Sequence, residues 1–249
     1  MAGTFQMAII ACDVLEDEVN HFAGQHEHVA RLEFFEMGLH DQPNRLREVL
    51  QECIDTCEAD ERIDTVVLVY GLCGKGTEGL RTRRCKLVIP RAHDCVTLFL
   101  GSAKQYLDLH QNCSGCYTYT PGWCRGGRTP GRARFTRLKE EYTEQFGEES
   151  ADYLIDVEKE ALAKYKTGLW VDLGLAPDRD KLKEQARRDI AGMGWEFRDI
   201  AGDARLLRDL LSGDWTGERF CVAEPGQVLT ATTDDRVIIA EAPVDEPSS

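Results

Sequence analysis

Three short apolar runs, each closing on a cysteine, constrain this chain more than any other feature. Met7-Ala8-Ile9-Ile10-Ala11 runs into Cys12. Thr65-Val66-Val67-Leu68-Val69-Tyr70 runs into Gly71-Leu72-Cys73-Gly74. Lys86-Leu87-Val88-Ile89-Pro90 runs into Arg91-Ala92-His93-Asp94-Cys95. Runs of this length and composition read as buried strands. Before the second of them, Leu46, Val49, Leu50, Cys53, Ile54 and Cys57 recur at helical spacing behind Pro43, which marks a helix start. Strands alternating with helices predict a Rossmann-like α/β fold, a mainly parallel sheet with helices on both faces. In such sheets the chemistry sits beyond the carboxyl ends of the strands. Cys12, Cys73, His93 and Cys95 are therefore expected along one edge.

A second α/β series follows. Residues 168–174 and 195–200 read as strands, 177–193 as a helix, and 204–211 as a helix behind the cap Asp203. Residues 219–223, 227–232 and 236–240 read as closing strands. The stretch 138–165 is helical and charged, with a break near Gly147. The expected organisation is an N-terminal lobe over 1–137, a helical segment with a second α/β lobe over 138–240, and a disordered acidic tail over 241–249. The two lobes are expected to be similar or to merge into one larger sheet.

A formal charge of −14 argues against nucleic acid as a partner, which needs a basic surface. No run of eighteen apolar residues offers a membrane span, and the start lacks a signal-peptide pattern. A cytoplasmic location is expected. Ten cysteines are many for a compartment that keeps thiols reduced, so some should serve metal binding or redox work. Cys53, Cys57, Cys85 and Cys221 read as core residues. Cys113 and Cys116 form a CxxC pair, half of a zinc site, with Cys124 eight residues on. His21, His26 and His28 form a polar group that suits a metal or a solvated loop. Residues 125–137 form a basic, glycine-rich loop, suited to an anionic partner or to solvent.

The chemistry expected at the strand ends follows from residue type. Thiolates and imidazole favour zinc, or iron and cobalt in softer settings, with an iron–sulfur cluster as another cofactor. Cys12, Cys73 and Cys95 with an open fourth position would make a catalytic centre, and adding His93 would close it. Glu18 is a candidate general base, Arg91 a candidate holder of a carboxylate or phosphate, and Asp94 a candidate orienter of a histidine. Gly71, Gly74 and Lys75 read as a loop whose amides and ammonium could cradle an anionic ligand. The spacing is not that of a Walker loop.

Taken as a set, several motifs resemble the domain-of-unknown-function family 1638 of bacteria and archaea. They are Ala11-Cys12-x-x-Leu15-x-x-Glu18, Tyr70-Gly71-Leu72-Cys73-Gly74, Ile89-Pro90-Arg91-Ala92-His93-Asp94-Cys95 through Leu100-Gly101-Ser102, Tyr119-Thr120-Pro121-Gly122-Trp123, Trp215 and Pro225-Gly226. The resemblance implies company with corrinoid-dependent methyl-transfer systems, so a corrinoid protein or a methyltransferase becomes an expected partner beside a small anionic or thiol substrate. Three expectations are carried forward. The first is a zinc–thiolate protein of one-carbon or corrinoid-linked methyl transfer, an enzyme of methyltransferase type if it turns over. The second is a non-enzymatic metal or cofactor carrier. The third is a redox or iron–sulfur protein.

Overall fold

The computed structural model describes residues 5–113, 115–216 and 218–243. In chain order the strands are β1 (Met7–Cys12), β2 (Val29–Phe35), β3 (Thr65–Val69), β4 (Lys86–Pro90), β5 (Cys116–Tyr119), β6 (Thr167–Asp172), β7 (Glu196–Ala201), β8 (Phe220–Ala223), β9 (Val228–Ala231) and β10 (Ile238–Glu241). The helices are α1 (Glu16–Ala23), α2 (Pro43–Glu58), α3 (Cys95–Leu100), α4 (Ala103–Asn112), α5 (Pro121–Arg125), α6 (Arg132–Phe146), α7 (Glu148–Leu162), α8 (Arg179–Gly192) and α9 (Arg205–Ser212). No helix among the described residues is long and apolar enough to cross a membrane.

The chain divides into two units, one of residues 1–106 and 203–249, the other of residues 107–202. This differs from the lobes expected on either side of residue 137. The sequence periodicity reports each strand but not its partner. Here β8 pairs antiparallel with β4, Leu87 opposite Ala223 and Pro90 opposite Phe220, which returns the end of the chain to the first unit. Residues 244–249 of the expected tail lie outside the described residues, and Glu241 ends β10.

The first unit holds a five-stranded sheet of order β2-β1-β3-β4-β8, parallel except at β8, and the antiparallel pair β9-β10. All six residues of β1 and all five of β3 are buried. A strand buried at every position is covered on both faces, the signature of a parallel α/β sheet rather than a half-solvated one. β2, an edge strand, is partly exposed along its length. Helix α2 packs on β1 and β3 through Leu46, Leu50, Cys53, Ile54 and Cys57. Helix α9 packs on β3 and β4 through Leu206, Leu207, Leu210 and Leu211. The chain leaves β1 toward β2 and then crosses back to β3 on the other side, so the strand order reverses between β1 and β3. That is the switch point at which open α/β sheets form a crevice.

The second unit holds a three-stranded parallel sheet of order β5-β6-β7. Its core gathers Tyr119, Cys124, Leu162, Trp170, Leu182, Ala186, Ile190 and Trp195. The polar atoms that enter this core are satisfied. The Tyr119 hydroxyl donates to the Pro130 carbonyl at 2.9 Å, and the Trp170 indole donates to Asp172, which also pairs with Arg179 at 3.2 Å. The basic stretch expected as one loop over 125–137 is shorter: α5 runs to Arg125 and α6 begins at Arg132. Thr120-Pro121-Gly122-Trp123 is a helix start. The Thr120 hydroxyl accepts from the Trp123 amide at 3.2 Å and Pro121 takes the first turn, where its missing N–H costs nothing.

Candidate functional site

The switch point places Cys12 at the end of β1 and Cys73 just after β3. Cys12 is followed at once by a tight turn, Asp13–Leu15, and by α1. Its thiol points to Asp13 Oδ1 at 3.8 Å, and the same oxygen accepts from the Met37 amide at 2.9 Å. Burial raises the Asp13 pKa against that hydrogen bond. Glu18 sits buried on α1.

The loops after β3 and β4 are zipped together. The Leu72 amide donates to the Ala92 carbonyl at 2.8 Å and the Cys73 amide to the His93 carbonyl at 3.0 Å. The approach is so close that a Cβ on Gly71 would lie 2.6 Å from both Cα and N of Asp94. Glycine is required at Gly71 by backbone contact. Beyond it, Cys73, Gly74 and Lys75 take φ values of +47°, +62° and +72°. Left-handed conformations cost an L-residue about 1–2 kcal/mol each. Two non-glycine residues held there on either side of Gly74 are the kind of strain that collects at ligand-binding loops.

Asp94 ends the β4 loop as the N-cap of α3. Its Oδ1 accepts from the Val96 amide at 3.0 Å and its Oδ2 from the Tyr106 hydroxyl at 2.9 Å. Cys95 opens that helix. A helix N-terminus attracts negative charge by about 0.3–1 kcal/mol, which is less than one pKa unit. Burial can move a thiol by ~3–5 units the other way. Burial wins here: the Cys95 pKa is raised well above the usual thiol value, with Asp94, Cys12 and Cys73 adding to the rise. Burial likewise pushes Cys12 and Cys73 up to about 12. The charge of Cys73 adds to the shift of Cys12, and the charge of Asp94 to that of Cys73. The three strand-end thiols thus sit within electrostatic reach of one another, and Cys73 and Cys95 keep partial contact with solvent.

Tyr70 completes the group. It is 3% exposed, its hydroxyl has no hydrogen-bond partner among the described residues, and its pKa is raised first by burial, then by the charges of Cys12 and Cys73. An unsatisfied buried hydroxyl costs about 1–3 kcal/mol. From sequence, Tyr70 and Asp13 carry no role at the site, and Tyr106 reads as a packing residue of a helix over 102–109. For Tyr70 the signal was its position, last before the glycine loop. For Tyr106, a helix residue eleven positions beyond Cys95, only the fold supplies one.

The other expected site residues have the following surroundings. Arg91, read as an anion holder, is committed to backbone carbonyls. Its Nε donates to Phe220 O at 3.2 Å, and its Nη1 to Arg236 O at 3.0 Å and to Ile238 O. The guanidinium ties β4 to β8 and β10, because the antiparallel return of the chain leaves those carbonyls facing it. His93 is exposed, its ring stacked on Tyr106 with centroids 5.7 Å apart. Lys75 is exposed and pairs with Glu78 at 3.7 Å, and Gly74 is exposed. Among the described residues, no three His, Cys, Asp or Glu side chains stand close enough to hold a metal ion as they are placed. His26 and His28 stack on each other at 4.9 Å. In the second unit Cys113 and Cys116 are joined as a disulfide with Cα atoms 5.8 Å apart, and Cys124 is buried with its pKa pushed up to about 12, chiefly by burial.

The model of one protein family, described as "Protein of unknown function (DUF1638)", matches residues 34–211. The match takes in Cys73, Arg91, His93, Asp94, Cys95 and the Thr120–Trp123 turn, while Cys12, Glu18 and Trp215 lie outside it. No curated protein and no solved structure matches the chain. Because the family match spans well over half of the 249 residues, and the mainly parallel α/β fold carries its central motifs at the strand ends, the chain belongs to the DUF1638 family.

Proposed function

We propose that Cys12, Cys73 and Cys95 bind a soft divalent metal, zinc first, and that the site serves one-carbon, corrinoid-linked methyl transfer to a thiol. The observation that carries this reading is the gathering of three thiols from three strand ends at the switch point, beside an unsatisfied tyrosine hydroxyl. Without a cation the three thiols stay protonated at neutral pH, since burial and mutual repulsion oppose their charge. A divalent cation inverts that balance by displacing the thiol protons. The thiols must close by side-chain rotation or by movement of the 71–75 loop, which already holds strained left-handed residues.

When bound, the metal supplies an acidified, nucleophilic thiolate at its open position. The protein groups do the rest. Glu18 takes the proton that a substrate thiol gives up. Tyr70 would donate its hydroxyl hydrogen to an acceptor on the substrate. His93, exposed at the mouth, would be an acid–base group at an open site, or a fourth ligand that closes it. The partial exposure of Cys73 and Cys95 also favours a second reading, a carrier that hands metal or cofactor to a methyltransferase.

The test is zinc titration of protein purified without oxygen, with proton release and metal content measured together, and repeated for Cys12→Ser, Cys73→Ser and Cys95→Ser. We expect about one zinc per chain with release of more than one proton, and loss of binding in each variant. Zinc retained in all three variants, or none bound by the parent, overturns the site. A thiol methylated at a catalytic rate by methyl-corrinoid favours the enzyme over the carrier.

A further inference from the structure

The second unit carries an apolar groove that the thiol chemistry does not use. Helices α6 and α7 pack side by side and turn at Gly147, whose φ is +82°. Near the turn, Tyr142, Phe146, Ser150, Tyr153 and Leu154 line, with Glu149, an open groove of about 700 Å³. Phe146 is 57% exposed, Tyr153 69% and Val157, one turn further along α7, 43%. The hairpin does not need this face to fold, because α7 buries Ala151, Ile155 and Leu162 instead. Large aromatic side chains left together in water mark a surface that is covered in use.

Charge selects what covers it. Residues 138–162 hold nine carboxylates and two lysines. Both lysines are already paired within the hairpin, Lys139 with Asp152 at 2.5 Å and Lys159 with Asp156 at 3.4 Å. A second copy of this hairpin would set carboxylates against carboxylates in a chain of net charge −14, and like-charge juxtaposition opposes association. An anionic lipid surface meets the same repulsion. We propose that the groove docks a basic amphipathic helix of a partner protein, with Leu or aromatic residues seated between Phe146 and Tyr153 and Lys or Arg along its flanks. The mode is a helix in a groove, with apolar anchors at i, i+3/i+4 and i+7.

The test uses the full chain and a fluorescent synthetic helix of about 18 residues, with Leu at those anchor positions and Lys elsewhere. A second peptide replaces each Leu by Ser and keeps the charge. Fluorescence anisotropy should show the Leu–Lys helix binding at least about tenfold more tightly than the Ser–Lys peptide, with affinity falling as salt rises. The Phe146→Ser, Tyr153→Ser double variant should lose about tenfold for the Leu–Lys helix. Leu107→Ser, which removes an exposed apolar residue outside the groove, should bind as the parent does. Equal binding of both peptides, or no loss in the double variant, overturns the proposal in favour of general charge attraction. A concentration-dependent dimer in sedimentation that disappears in the double variant overturns it in favour of a second copy. Neither outcome bears on metal binding, which is read separately by zinc content.

Discussion

Gly71→Ala tests whether the strand-end loops are held together by contact between their backbones. The new methyl group would lie 2.6 Å from Cα and N of Asp94 and 2.9 Å from the Ala92 carbonyl oxygen. None of these atoms is the end of a flexible side chain, so the two loops must separate. Overpacking of a rigid site costs roughly 1–3 kcal/mol. Separation also weakens the Leu72–Ala92 and Cys73–His93 hydrogen bonds, each worth about 0.5–1.5 kcal/mol. The expected loss is therefore at least ~1 kcal/mol and up to ~6 kcal/mol. Gly74→Ala is the control. Its Cβ has 3.8 Å to its nearest neighbour, Pro43, so only the left-handed φ of +62° is penalised, about 1–2 kcal/mol. Urea unfolding gives the free energies, and hydrogen exchange at the Leu72 and Cys73 amides gives the local effect. Gly71→Ala should expose both amides and Gly74→Ala should leave them protected. A Gly71→Ala protein within about 0.5 kcal/mol of the parent, or one with both amides still protected, would refute the argument.

Two further outcomes follow from the site. Cys12 and Cys73 have folded-state pKa values near 12 against an ordinary 9.0, so the folded chain holds their protons longer than the unfolded chain. The stability they confer is fully present below pH 9 and is lost as pH rises from 9.0 toward about 12. Cys12→Ser and Cys73→Ser should flatten that alkaline limb in pH-dependent urea unfolding, and an unchanged limb would count against buried thiols. Arg91→Met should destabilise the first unit by roughly 2–4 kcal/mol, by stranding the Phe220, Arg236 and Ile238 carbonyls. It should leave zinc stoichiometry unchanged, whereas a variant of parental stability that no longer binds zinc would restore Arg91 to the site.

Much of the local structure was legible in the residues. The Leu46–Cys57 periodicity marked α2, and the apolar runs 7–11, 66–69 and 87–90 marked strands covered on both faces. Both patterns are local consequences of side-chain period and burial. The cysteines at the ends of those strands could be read as neighbours because parallel strands present their carboxyl ends on one edge. Residues 96–100 show only an apolar run in sequence, and their helical turn depends on the Asp94 cap that Tyr106 steadies from a later helix.

The sequence by itself determined element type, the alternation that makes the fold α/β, and the residue types that meet at the switch point. Tertiary structure alone decided the rest. It placed β8 beside β4, which interrupts the first unit with residues 107–202 and sets the Arg91 guanidinium against backbone carbonyls of the returning chain. It brought the unsatisfied Tyr70 hydroxyl to the thiols and left His93 stacked in solvent on Tyr106. The physical reason is one of range. Periodicity and capping act within a few residues, whereas the partner of a strand edge, a guanidinium or a buried hydroxyl is chosen by long-range packing that no local pattern encodes.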